Sequence, residues 1–137
     1  MSGNAVLTIE LRLLTYTAFI CLILWIPYIL GVIKTRGMGR AMGYPSGVAD
    51  DLPEWAQRAN RAHMNLVENL APFAILVLVA HLIGVSNTYT VVGAQLFFWA
   101  RVVQSVVMIV GIPMLRTPAF AVGWIGNLLI LGQVLYH

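Results

Sequence analysis

The sequence predicts an all-α integral membrane protein, a bundle of four transmembrane helices. Three observations predict it. Hydrophobic residues make up 60% of the 137-residue chain and charged residues only 9%, whereas soluble domains sit near ~25% charged. The apolar residues gather into runs long enough to cross a hydrocarbon core, which takes roughly 20 helical residues. Breakers separate those runs: a glycine- and proline-rich stretch over 31–53, Gly84-Val-Ser-Asn87, and Gly111-Ile-Pro113. Residues 1–137 read as one domain with no internal repeat.

The first span is expected over Leu13–Ile33, 21 residues without a charge. It lacks a small-residue cleavage site, so it reads as a retained anchor rather than a signal peptide. Pro27 lies inside it and should kink it. A loop follows, with Lys34, Arg36 and Arg40 and a short interfacial turn near Met38–Met42. Asp50, Asp51, Pro53 and Glu54 mark the start of a second helix through acidic caps and a first-turn proline. That helix should run from about Pro53 to Ile83, more than ~40 Å at 1.5 Å per residue, which is longer than the hydrocarbon. The third is expected over Thr88–Ile112. The fourth is expected over Ala119–Tyr136, restarted by Thr117-Pro118, with Gly123 and Gly126 serving close helix packing.

Lys34, Arg36, Arg40, Arg58 and Arg116 fall on one side of this topology, and Arg12 on the other. The positive-inside rule then places the first and third loops in the cytoplasm and both termini outside, in a cell inner membrane. The net charge of +3 carries no basic stripe interleaved with aromatics, so nucleic acid is not an expected partner. Cys21 is the one cysteine, so no internal disulfide can form. His63, His81 and His137 lie on different elements without ligand spacing, and no metal site is expected.

One stretch breaks the apolar pattern. Arg58, Arg61, Asn65, Glu68 and Pro72 follow one another at spacings of 3, 4, 3 and 4, so they share a helix face that enters the membrane. Charged residues inside a span are costly and mark functional sites by default. Arg101 is the other such residue, near the middle of the third helix. Counting residues from the helix ends puts it within about one turn of Glu68, and a Glu68–Arg101 pair is expected. That pair accommodates two readings, a ligand site or a purely structural clamp. Arg61 and Asn65 sit nearer the interface, where a guanidinium and a neutral amide suit a carboxylate or phosphate. Arg58 is expected to anchor the helix at lipid headgroups.

The run from Arg58 through Arg61, His63, Asn65, Glu68 and Asn69 to Pro72-Phe73 resembles the second-helix signature of the MAPEG family, the membrane-associated proteins of eicosanoid and glutathione metabolism. Phe98-Trp-Ala-Arg101 and Gly111–Phe120 are similar to the family's bacterial branch. The resemblance implies a homotrimer with sites between subunits, glutathione as co-substrate and lipophilic electrophiles taken from the bilayer. Carried over residue by residue, it implies glutathione-binding roles for Arg61, Asn65, Glu68 and Arg101. It suggests Arg36, by a looser alignment, as the basic residue ending the first helix. Where family transferases place an arginine, a serine and a tyrosine near the sulfur, this chain has Phe120, Ala121 and Trp124. Arg116 is then the candidate for stabilising a thiolate, with Thr117 as a substitute. Two readings stay open: a glutathione-dependent transferase or peroxidase, and a non-catalytic lipid-binding or accessory subunit of a larger membrane assembly on the same fold.

Overall fold

A computed structural model describes residues 7–43 and 52–136. Among them the chain is helical without a strand: α1 (Ile9–Leu24), α2 (Ile26–Arg36), α3 (Met38–Ala41), α4 (Glu54–Leu82), α5 (Thr88–Val110), a 3₁₀ turn (Pro113–Leu115) and α6 (Arg116–Leu135). Four spans are long and apolar enough to cross a membrane: Ile9–Arg36, Glu54–Leu82, Thr88–Val110 and Pro113–Leu135. Leu22, Ile75, Trp99 and Val106 are among many large apolar side chains exposed on their flanks. Such flanks suit hydrocarbon rather than water.

The first span is interrupted at Trp25, two residues before Pro27, where a kink is expected. α1 stops at Leu24, Trp25 bridges, and Pro27 stands in the first turn of α2, where its missing N–H removes no helical bond. Thr8 caps α1 by accepting from the Leu11 amide at 3.2 Å. The short turn expected near residue 38 is α3. The caps expected at Asp50 and Asp51 lie outside the described residues. Pro53 occupies the N-cap position of α4 with no side-chain cap.

α4 is 29 residues long, or ~43 Å at 1.5 Å per residue. Its buried stripe is Ala56, Ala59, Ala62 and Leu66, then Phe73, Val77 and Ala80. Alanines in the polar half let neighbouring helices approach closely, and larger residues fill the apolar half. Helix continues through Pro72. Proline has no N–H for the carbonyl four residues back, which leaves the Glu68 carbonyl without its usual donor. One turn earlier, Asn69 Nδ2 donates to the Asn65 carbonyl at 2.7 Å.

α5 is the central helix and buries ten residues, from Thr90 to Val107. Asn87 and Thr90 form a capping box at its start. It ends two residues earlier than expected because Gly111 turns left-handed at φ 91°. α6 in turn begins at Arg116, a little before the expected restart, with Thr117 and Pro118 in its first turn. No side chain caps it; the 3₁₀ turn leads into it directly.

The seam between α5 and α6 is glycine on glycine. A Cβ on Gly126 would sit 2.5 Å from the Gly93 carbonyl, and one on Gly93 would sit 2.6 Å from the Gly126 carbonyl. Without side chains the two backbones touch, which is the small-residue packing used between membrane helices. Beside this seam Phe73 and Phe97 stack at 4.0 Å, with Leu13, Val77 and Ile130 around them. Gly31 of α2 presses on Ala56 of α4 in the same manner, where an added Cβ would lie 2.6 Å from Ala56 Cβ.

Candidate functional site

The start of α4, the end of α5 and the start of α6 meet at one end of the bundle. They enclose a cavity of about 320 Å³ lined by three arginines, Arg58, Arg61 and Arg116. Among the described residues Thr117 is the one hydroxyl in the lining, and Val107, Met108, Ile112 and Pro113 form apolar walls. No carboxylate among the described residues lines the cavity. Three cations facing an apolar wall favour an anion that carries a hydrophobic part.

Arg58 does not behave as the expected headgroup anchor. Its Nε donates to the Ile109 carbonyl at 2.9 Å, so it caps the negative end of α5. Its Nη1 lies 3.4 Å from Glu54 Oε2, one turn back on α4. The guanidinium lies over Gly111, where a Cβ would come within 3.1 Å of Nε.

Arg101 lies one to two turns further into the bundle and is only 3% exposed. It does not pair with Glu68, which is exposed on the flank of α4. Nη1 instead donates to Asn65 Oδ1 at 2.9 Å, and Nη2 donates to Gln104 Oε1. Residue counting reached the right depth to within one turn, but Asn65 is the residue on that face that meets α5. Nε is buried with no partner. The Phe97 and Phe120 rings lie 5.7 Å from the guanidinium carbon, and Gly123 leaves room beside it. Two amides and two aromatic faces thus hold this cation where a carboxylate was expected.

The other expected site residues divide in two. Arg61, Arg116 and Thr117 converge on the cavity, and Asn65 links the face of Arg61 to Arg101. Glu68 and Arg36 do not line it; Arg36 closes α2. Of the positions matching the transferases' sulfur-facing residues, Phe120 turns toward Arg101, while Ala121 and Trp124 are exposed. No group of three His, Cys, Asp or Glu among the described residues could hold a metal.

Fold and site together define a multi-pass integral membrane protein with a basic cavity at the helix ends on one side. The chain belongs to the MAPEG family, whose pattern it matches over residues 13–136; the family includes glutathione transferases and related proteins. Comparison with curated proteins and with solved structures returns no match.

Proposed function

We propose that this protein is a membrane-bound glutathione-dependent transferase or peroxidase acting on lipophilic electrophiles. We further propose that it works as a homotrimer in a cell inner membrane, with the arginine end cytoplasmic. The observation that carries this reading is the convergence of Arg58, Arg61 and Arg116 on one cavity in a MAPEG chain. Glutathione has two carboxylates, and guanidiniums bind carboxylates in two-pronged fashion. Arg61 and Asn65 hold its carboxylates or amides in this reading. Glu68, exposed on the same face, offers a carboxylate to its amine. Arg101 fixes Asn65 from below, and Arg36 serves as an outer basic contact. The thiol needs a cation or hydroxyl beside it to ionise, and Arg116 with Thr117 supplies both. The thiolate sulfur then forms a bond to the electrophilic carbon, the leaving group departs with its electron pair, and the thiol proton passes to water.

Two measurements test this together: calorimetry with glutathione on the purified protein, and conjugation to an aromatic halide. The expected results are binding and turnover that are lost in Arg61→Ala. Turnover no higher than that variant's overturns the enzyme claim.

One observation favours a second reading. Phe120 packs against Arg101 where transferases place a polar group, and Ala121 brings no donor at all. A non-catalytic lipid-binding or accessory membrane subunit would keep the basic cavity for an anionic headgroup. It predicts co-purifying lipid or other membrane chains, and no glutathione heat signal.

A further inference from the structure

The end of the bundle opposite the arginines contains a buried carboxylate. Glu10, the second residue of α1, is 5% exposed. Its Oε2 accepts from Ser86 Oγ at 2.7 Å and from Thr90 Oγ1 at 3.0 Å. The single Thr90 hydroxyl proton is shared, because that oxygen also lies 2.9 Å from the Asn87 carbonyl. Oε1 is buried and meets no donor among the described residues. No lysine or arginine among them pairs with it. An ionised carboxylate in that state carries an uncompensated desolvation cost.

The same residue lines a cavity of about 250 Å³ with Thr8, Ala80, His81, Val85 and Ser86. That is several times the ~30 Å³ of a water molecule. Ala80 and His81 belong to the last turn of α4, so the negative end of a 29-residue helix adds to the attraction for a cation.

We propose that this cavity binds a primary ammonium group, with the Glu10 carboxylate turning to accept one N–H and Ser86 Oγ accepting another. A divalent metal is a poor fit. Calcium takes six to eight oxygen ligands, and among the described residues one carboxylate with one imidazole is the charged lining. A quaternary ammonium fits no better. It has no N–H for the carboxylate, and sites for such groups use aromatic cages, whereas no Phe, Tyr or Trp among the described residues lines this one. The ammonium has two sources, the ethanolamine headgroup of a phospholipid or a free primary amine.

The test uses the full chain in mixed micelles. Native mass spectrometry compares retention of phosphatidylethanolamine with phosphatidylcholine of the same acyl chains, and free ethanolamine is added as a competitor. One charge-assisted hydrogen bond implies at least about tenfold preference for the ethanolamine lipid. That preference should vanish in Glu10→Gln, which keeps the shape and loses the charge. Displacement by ethanolamine, or ethanolamine binding without lipid preference, supports the same site and identifies the free amine as its source. Equal retention of the two lipids with no ethanolamine binding overturns the proposal, as does full selectivity in Glu10→Gln. If Glu10→Gln fails to fold, Ser86→Ala should weaken the preference, and the comparison of lipids on the wild type stands without any variant.

Discussion

The two ends of the bundle handle charge in opposite ways. At one end three arginines stand around an open cavity of about 320 Å³, and Arg58 is engaged with a helix terminus and Glu54. At the other end the Glu10 carboxylate is held by Ser86 and Thr90 beside a cavity of about 250 Å³. Exposed cations cost little to keep, and several together set the sign of the potential without fixing a ligand's shape. A single buried anion is costly to keep, and what it accepts is narrow, because one orphaned oxygen needs one donor. The first arrangement suits ligands arriving from water. The second suits a group selected by its N–H.

Substitutions separate the two ends, in falling order of effect. Gly126→Val places a side chain against the Gly93 carbonyl in the seam that carries both ends. It should destabilise the fold by about 3 kcal/mol or more and disturb both cavities. Thermal unfolding in detergent, together with ligand binding at each end, checks this; damage confined to one end would show that the seam does not couple them. Arg101→Met should affect the arginine end alone. It orphans Asn65 and Gln104 at about 1–3 kcal/mol each, offset in part by relief of the buried cation, for a net loss of about 2 kcal/mol. Arg101→Lys should recover only part of that loss, because an ammonium lacks the fork that reaches both amides. Full recovery would mean charge alone matters.

Gly111→Ala should cost roughly 1–2 kcal/mol through its left-handed backbone. It should also push Arg58 off the α5 terminus, weakening glutathione binding severalfold while amine binding at the Glu10 end stays unchanged. Arg61→Ala should leave unfolding within about 0.5 kcal/mol of wild type, since the side chain is exposed. Glutathione affinity by calorimetry should nonetheless fall roughly 10–100-fold with the loss of one charge-assisted contact. If unfolding shifts as much as binding does, the residue is a structural support rather than a ligand contact.

Much of the fold was legible because length and apolarity are one-dimensional properties. The four spans, the break near Pro27 and the turns at Gly84 and Gly111 all follow from which residues stand where along the chain. The convergence of Arg61 and Arg116 was legible in part, since loop charge placed Arg116 on one side and the second helix's polar face placed Arg61 near the same interface. Rotation about the helix axes was the harder part. Depth counting brought Glu68 within about one turn of Arg101 and set Asn65 nearer the interface, and the way α4 is turned against α5 selects the amide instead. Arg58 was misplaced for a related reason: its partner is a backbone carbonyl 51 residues away, which has no residue-type signature. Glu10 carries no signal of its role in the sequence. Its burial depends on Ser86 and Thr90, 76 and 80 positions further along.

The break at Trp25 divides the first span between the two ends. α1 lies against α4 and α5 and brings Glu10 to one end, while α2 lies against α4 and brings Gly31 to the other. A continuous rod would tie both contacts to a single rotational register, so a change in one would turn the other. The interruption at Trp25 is a place where that register can relax. Substitutions near Glu10 can then accumulate with less effect at the arginine end, and the interruption acts as a boundary between two separately evolvable halves of one small protein.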